Sequence, residues 1–182
     1  MRLVIDRTWD GLPLPPEAHA SVTLAFSLEG LEVFVDAPFH GDPVPPGAEG
    51  PTWGLWEYEV VELFLSGPGD RYLEVELGPW GHHLVLQLEG CRNIVARELP
   101  LVLRTRRAGE RWTARAHVDV GVLPPAPHRV NATRIHGVGT ARRYLSAVDL
   151  PGPKPDFHRI ECFVPVTLSP SREAEQTGDP GY

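Results

Sequence analysis

The chain has 182 residues, of which 42% are hydrophobic, and it carries a formal net charge of −7. This length and hydrophobic content suit one domain with a substantial core. The acidic balance argues against a broad surface for nucleic acid or anionic membranes, because such surfaces need clustered positive charge. Only two cysteines occur, so neither a disulfide framework nor a cysteine metal cluster is indicated.

The N-terminal residues, MRLVIDRTWDG, turn polar within a few positions and contain no apolar stretch long enough for a signal peptide. No segment approaches the roughly 20 apolar residues of a membrane-spanning helix. We therefore expect a cytoplasmic protein with no membrane partner and no nucleic-acid partner. The sequence leaves the oligomeric state open.

Short runs of alternating apolar residues dominate the chain, and glycine or proline turns separate them. The first hairpin, SVTLAFSLEGLEVFVDAPF, turns at Glu29-Gly30, and a proline- and glycine-rich loop follows it. A further hairpin turns at Ala108-Gly109. Other strands are predicted near 58–65, 71–77, 82–88, 130–136, 142–148 and 158–167.

No long amphipathic helix is evident, and regular short strands are typical of sandwiches and barrels. We predict an all-β fold, an antiparallel β-sandwich that is jelly-roll-like. Residues 1–168 are expected to form this single domain. The polar residues 169–182 are expected to form a flexible tail.

The two hairpins between residues 58 and 88 place acidic side chains on one face, since strand residues alternate between faces. If SGPGD forms a five-residue loop, Glu62 lies opposite Glu74 and Phe64 lies opposite Tyr72. If GPWG forms a four-residue loop, His83 lies beside these glutamates. The opposite, core face is then predicted to contain Leu73, Val75, Leu77, Leu84, Leu86 and Leu88.

The 101–118 hairpin carries the complementary charge on one face, through Arg104, Arg106, Arg111, Arg115 and His117. If this hairpin neighbours the acidic strands, its arginines neutralise the glutamates in a salt-bridge network. The chain is then a structural or interaction domain without a small-molecule site. The other interpretation is a polar groove that binds a ligand through hydrogen bonds.

Facing carboxylates also permit glycoside hydrolysis. Opposed strand residues have Cβ atoms roughly 4.5–5.5 Å apart, and retaining glycosidases need carboxyl groups about 5–5.5 Å apart. The alternative function is therefore an enzyme that uses the Glu62/Glu74 pair on a sugar or sugar phosphate. The histidines do not show HExxH spacing, so we expect no metal site and no cofactor.

Four segments carry a family resemblance: LWEYEVVELFL, YLEVELGPWGHHLVLQLEGCRN, ELPL and KPDFHRIECF. In this order, from about Trp53 to Phe163, they resemble a protein family named after a chromosome 4 open reading frame. That resemblance implies no particular activity. More distantly, the first two segments look like family 9 carbohydrate-binding modules and DOMON-like domains, which are β-sandwiches that bind sugars or haem.

The second resemblance implies that a tryptophan clamps a sugar while an acid binds its hydroxyls, and the matching positions are Trp56 and Glu62, with Arg71 as a further candidate. Met1 is the only methionine, which disfavours Met–His haem ligation, whereas bis-His ligation stays open. We expect non-catalytic binding of a small carbohydrate or a related polar ligand. The predicted ligand-binding residues are Trp56, Glu62, Arg71, Glu74, Trp80, His83, Arg143, Asp156 and His158.

Overall fold

The computed structural model describes residues 1–167, so the predicted tail at 169–182 lies outside the described residues. The regular structure of residues 1–167 consists of β-strands and single 3₁₀ turns. No helix in this part of the chain combines the length and the apolar character needed to cross a membrane. The strands are β1 (Arg2–Ile5), β2 (Arg7–Thr8), β3 (Ala20–Phe26), β4 (Gly30–Pro38), β5 (Gly50–Pro51), β6 (Val60–Ser66), β7 (Arg71–Leu77), β8 (His82–Glu89), β9 (Ile94–Arg97), β10 (Val102–Ala108), β11 (Arg111–Asp119), β12 (His128–His136), β13 (Arg143–Ser146) and β14 (Val164–Val166).

Two sheets form a β-sandwich, which confirms the predicted fold class. The first sheet has the order β1-β3-β4-β11-β10. The second has the order β2-β13-β12-β6-β7-β8-β5, with β14 beside β12 and β9 beside β8. The strand pairs are antiparallel except for β5 and β8, which run parallel through Gly50 and Pro51.

Apolar side chains cover the second sheet on both faces. Its inner face, with Leu63, Val75 and Val85, packs against the first sheet to form the main core. Its outer face carries a second apolar cluster that includes Phe64 and Leu86. Residues of loops and 3₁₀ turns complete this second cluster, among them Leu55, Leu150, Phe157 and Phe163. The second sheet is therefore a central layer, and the outer face is the one that carries polar groups among apolar ones.

The register of β6 and β7 differs from the prediction by two residues. Gly67 N–H donates to the Arg71 carbonyl at 2.8 Å, so the loop is only Pro68–Asp70. Glu62 therefore pairs with Glu76, and Phe64 pairs with Glu74. An even shift keeps every side chain on its predicted face, but it corrects the prediction that Glu62 and Glu74 lie directly opposite each other.

The register of β7 and β8 differs by one residue, which reverses the predicted face of every β8 side chain. Gly78 pairs with His82, and the loop contains three residues that end at Gly81 in the left-handed region (φ +83°). A left-handed glycine at this position is typical of three-residue hairpin loops. Leu84, Leu86 and Leu88 therefore share the outer face with the glutamates, and His83 faces the main core instead.

Candidate functional site

The outer face of the second sheet contains a cavity of about 360 Å³. Strands β6, β7, β8, β12 and β13 form its base, and the loop after β8 and the segment 150–163 border it. Its volume falls in the range of about 300–1,000 Å³ that small-molecule pockets occupy. Its lining residues are Trp56, Glu62, Phe64, Glu74, Leu86, Leu88, Arg92, Ile94, Ile135, Tyr144, Pro155, Phe157 and His158. We call this cavity the outer pocket.

Aromatic side chains form much of the wall of the outer pocket, and Trp56 is held in place from two directions. Arg142 donates hydrogen bonds to the backbone carbonyls of Trp56 and Glu57, which fixes the 3₁₀ turn that carries the indole. Trp53 packs edge-on against Trp56, with ring centroids 5.1 Å apart. The indole of Trp56 is therefore positioned before any ligand arrives.

Three glutamates lie together beside this aromatic wall, and we call them the glutamate cluster: Glu62 on β6, and Glu74 and Glu76 on β7. They are 2%, 4% and 0% exposed. One carboxylate oxygen from each lies within 4.8 Å of the others. The Thr133 hydroxyl donates to Glu62, and within residues 1–167 none of the three glutamates forms an ion pair.

Burial disfavours the ionised form of each carboxyl in the glutamate cluster. It raises the pKa of Glu62 to about 7, with Thr133 and Arg142 opposing the shift. It raises the pKa of Glu74 well above the ordinary value, and the neighbouring Glu62 adds to this. The pKa of Glu76 is also raised well above that value, by burial and then by the other two glutamates. The nearby Trp56 amide opposes part of the rise in the Glu76 pKa. Within residues 1–167, however, neither Glu76 oxygen has a partner at hydrogen-bond geometry.

A hydrogen-bond network anchors the segment 155–158 at the rim of the outer pocket. Arg92 N–H donates to the Tyr72 hydroxyl at 3.0 Å, which leaves the Tyr72 proton to donate to Nδ1 of His158 at 2.8 Å. Burial, followed by the charge of Arg92, lowers the pKa of His158 to about 4, so this ring is neutral at pH 7. Asp156 accepts from the Arg92 guanidinium at 2.7 Å and from the His158 N–H at 3.2 Å.

We expect Tyr72→Phe to lower the free energy of unfolding by about 1–2 kcal/mol, because it leaves the Arg92 amide and the His158 ring nitrogen without their shared partner. Urea denaturation measures this change, and hydrogen exchange of residues 155–158 should accelerate. Tyr58→Phe is the matched control, since the Tyr58 hydroxyl forms no hydrogen bond with residues 1–167. Equal stability of the two variants would contradict the anchoring role.

The arginine-rich hairpin does not neutralise the glutamate cluster. Strands β10 and β11 belong to the first sheet, and the predicted basic face with Arg104, Arg106, Arg111 and Arg115 lies on its outer surface. There Arg111 pairs with Asp36 at 2.7 Å, and Arg115 pairs with Glu32 at 3.0 Å. The predicted salt-bridge network between this hairpin and the acidic strands is therefore wrong, because the hairpin pairs with β4 through β11.

The structure brings five of the nine predicted site residues to the outer pocket: Trp56, Glu62, Glu74 and His158 line it, and Asp156 bonds to its rim. Four predicted residues lie elsewhere. Arg71 is exposed at the β6–β7 loop, 3.5 Å from Glu89. Trp80 lies in the β7–β8 loop, with the Arg107 guanidinium 3.6 Å from its ring centroid.

The other two residues, His83 and Arg143, lie on strands but point away from the outer pocket. His83 shares the inner face with Val85 because of the one-residue change of register. Arg143 precedes Tyr144 on β13, so its side chain points away from the outer pocket. It bonds instead to the carbonyls of Thr140 and Arg142.

Sequence reasoning missed several residues of the outer pocket. Arg92 and Ile94 lie beyond β8, Tyr144 lies on β13, and Phe157 is part of the KPDFHRIECF segment. That segment was a recognisable signal, since it is one of the four that carry the family resemblance. Glu76 was on the predicted acidic face but outside the predicted site, because the assumed register paired Glu62 with Glu74.

Comparison with solved structures shows which proteins share this fold. A Bacteroides uniformis protein named as a candidate carbohydrate-binding protein has a TM-score of 0.73 at 16% identity, over 93% of this chain and 86% of its own. A family 9 carbohydrate-binding module from Caldicellulosiruptor kristjanssonii, in complex with cellotriose, has a TM-score of 0.50 at 14% identity, over 90% and 80%. A second structure of that kind from the same organism, with glucose, has a TM-score of 0.51 at 13% identity, over 88% and 80%. At these identities the likeness shows the fold.

Sequence comparison shows the family, although no family model matches the chain. The UPF0462 protein C4orf33 homologue of Mus musculus is 40% identical over 178 residues, covering 93% of this chain and 92% of its own length. The Homo sapiens protein is 40% identical over 172 residues, covering 90% and 86%. The Danio rerio homologue is 40% identical over 179 residues, covering 92% and 89%. The chain therefore belongs to the UPF0462 protein C4orf33 family, as the resemblance of its sequence segments predicted.

Proposed function

We propose that this chain binds a small carbohydrate, or a related polar ligand, in the outer pocket without catalysing a reaction. One observation carries the proposal: an aromatic wall and buried carboxyl groups converge on the same cavity of about 360 Å³. A sugar ring has an apolar C–H face that packs on an aromatic plane and a polar edge that forms hydrogen bonds. The carbohydrate-binding names of the structural neighbours support the same ligand class.

Each side chain has a defined role in this proposal. Trp56 stacks on the sugar ring, and Tyr144 and Phe157 add aromatic surface to the same pocket. Glu62 and Glu74 form hydrogen bonds with sugar hydroxyls, and a carboxyl group does so in either protonation state. Arg92 and His158 supply further polar contacts from the rim, in the place that the sequence assigned to Arg71 and Arg143.

Isothermal titration calorimetry against a panel of neutral, amino and acidic monosaccharides and short glucans tests the proposal. We expect at least one sugar to bind. Trp56→Ala should weaken that binding about 10-fold or more, through loss of the stacking surface. Glu62→Gln should weaken it about 10- to 100-fold, because a hydrogen bond to a charged group contributes about 1.5–3 kcal/mol.

Two control variants make the same chemical changes outside the outer pocket. Trp80→Ala removes a tryptophan that stacks on Arg107, and Glu57→Gln neutralises an exposed glutamate next to Trp56. Both should bind the sugar like the wild type. No heat of binding with any sugar, or unchanged affinity in both Trp56→Ala and Glu62→Gln, would contradict the proposal. Release of a new reducing end from a glycoside would favour the enzymatic alternative, with Glu62 and Glu74 as its carboxyl pair.

A further inference from the structure

The spacing of the glutamate cluster matches that of ligands around one metal ion. One carboxylate oxygen each from Glu62, Glu74 and Glu76 lies within 4.8 Å of the others. Two oxygens on a common ion are separated by at most twice the metal–oxygen distance. That limit is about 4.6–5.2 Å for Ca²⁺ and about 4.0–4.2 Å for Mg²⁺. The oxygens are therefore close enough to share one hard cation after small side-chain adjustments, and the flexible coordination of Ca²⁺ accommodates them better than the strict octahedron of Mg²⁺.

Glu76 supplies a second, independent observation. The residue is 0% exposed, and neither of its carboxyl oxygens has a hydrogen-bond partner in the described residues 1–167. It does not line the outer pocket, although Glu62 and Glu74 do, so a ligand that fills the pocket does not reach it. A buried carboxyl without a partner is costly, and proteins normally pair such groups or use them to coordinate metals. Its partner must therefore be small enough to lie between the three glutamates.

No basic side chain in residues 1–167 forms an ion pair with the glutamate cluster. The Arg92 guanidinium pairs with Asp156, and the Arg142 guanidinium bonds to backbone carbonyls. The one lysine of the chain, Lys154, is exposed. The arginines of β11 lie on the other sheet. A cation from solution is the remaining way to balance the charge of the glutamate cluster while its carboxyl groups stay ionised.

We propose that Glu62, Glu74 and Glu76 bind one divalent cation of the size of Ca²⁺ at the base of the outer pocket. The donors are carboxylate oxygens, which hard cations prefer, and no cysteine or histidine belongs to the cluster. Ca²⁺ takes 6–8 oxygen ligands in flexible geometry. Glu62 and Glu74 border the pocket, so water from the pocket completes the coordination. This site goes beyond sugar recognition, and its test uses the metal alone.

Calorimetry with CaCl₂, MgCl₂ and MnCl₂ tests this site on protein that has first been stripped with EDTA. We expect one ion per chain and tighter binding of Ca²⁺ than of Mg²⁺. Glu76→Gln removes one ligand charge at nearly constant size and should weaken Ca²⁺ binding at least 10-fold. Glu57→Gln, at an exposed glutamate next to Trp56, should leave it unchanged.

Thermal unfolding of the wild type provides a measurement that does not depend on any variant. A Ca²⁺ concentration about 100 times the Kd should raise Tm by about 5–10 °C, whereas NaCl of equal ionic strength should not. Absence of binding and of a Tm shift with all three ions would overturn the proposal. The glutamate cluster would then be neutralised by protonation of its carboxyl groups. Unchanged Ca²⁺ affinity in Glu76→Gln would also overturn it. If that variant does not fold, Glu74→Gln replaces it in the same comparison.

Discussion

Replacement of Arg134 by methionine should lower the free energy of unfolding by about 3–5 kcal/mol, because two carbonyls lose a charged donor and each such hydrogen bond contributes about 1.5–3 kcal/mol. Arg134 is only 1% exposed and lies on β12 among the residues that face the first sheet. Its guanidinium donates to the Ala18 carbonyl at 3.2 Å and to the Pro38 carbonyl at 3.3 Å. The side chain therefore links the two sheets through backbone groups that methionine leaves without a donor.

The loss of charge adds to this effect through Glu59, which is 2% exposed. Burial raises the pKa of Glu59, while the His40 N–H and the Arg134 charge oppose that rise. Burial also lowers the pKa of Arg134 to about 10, which still leaves it charged at pH 7. Without Arg134, the Glu59 carboxyl stays buried with one favourable neighbour fewer.

Urea denaturation of both proteins at pH 7 measures the difference. Arg143→Met is the matched control, because Arg143 is exposed and its guanidinium bonds, among residues 1–167, only to the nearby carbonyls of Thr140 and Arg142. We expect that control to change stability by less than about 1 kcal/mol. An Arg134→Met protein as stable as Arg143→Met would disprove the link between the sheets.

Glu76→Met should have the opposite sign and raise the free energy of unfolding by about 1–3 kcal/mol in buffer with EDTA. Glu76 is fully buried, has no hydrogen-bond partner in the part of the chain that the structure describes, and lies near two other carboxyl groups. Methionine has a similar length and no polar atom that needs a partner. A gain of this size is the one expected if Glu76 serves the proposed cation site at the expense of stability.

Glu59 is a second buried glutamate, and comparison with it separates the effect of burial on stability from the effect of lacking a hydrogen-bond partner. The Glu59 carboxyl accepts the His40 N–H at 3.0 and 3.2 Å, so Glu59→Met orphans a backbone donor and should be destabilising. Glu76→Met and Glu59→Met should therefore move the urea midpoint in opposite directions. If Glu76→Met is destabilised as much as Glu59→Met, then Glu76 has a structural role that its contacts do not reveal.

Most predicted strands agree with the observed ones because alternation of apolar residues is a local property. The prediction at 158–167 is wrong for most of its length, since Ile160–Cys162 is a 3₁₀ turn and only β14 is a strand there. The predicted runs at 71–77 and 82–88 correspond closely to β7 and β8. The predicted grouping of Trp56, Glu62 and Glu74 also agrees with the outer pocket, since Glu62 and Glu74 keep their faces under an even change of register. His83 does not keep its predicted face. The loop before β8 has three residues in place of the predicted four, and this change of one residue turns the His83 side chain to the inner face.

The sequence by itself determined what neighbouring residues control: most of the strands, the positions of the hairpins, the sandwich class and the family membership. The tertiary structure alone decided the contacts between distant residues. The β10–β11 hairpin joined the other sheet, so its arginines pair with Asp36 and Glu32. The segment with Phe157 and His158 packs on the outer face of the second sheet and forms part of the wall of the outer pocket. Such contacts depend on the packing of whole sheets, and no local pattern of residues encodes them.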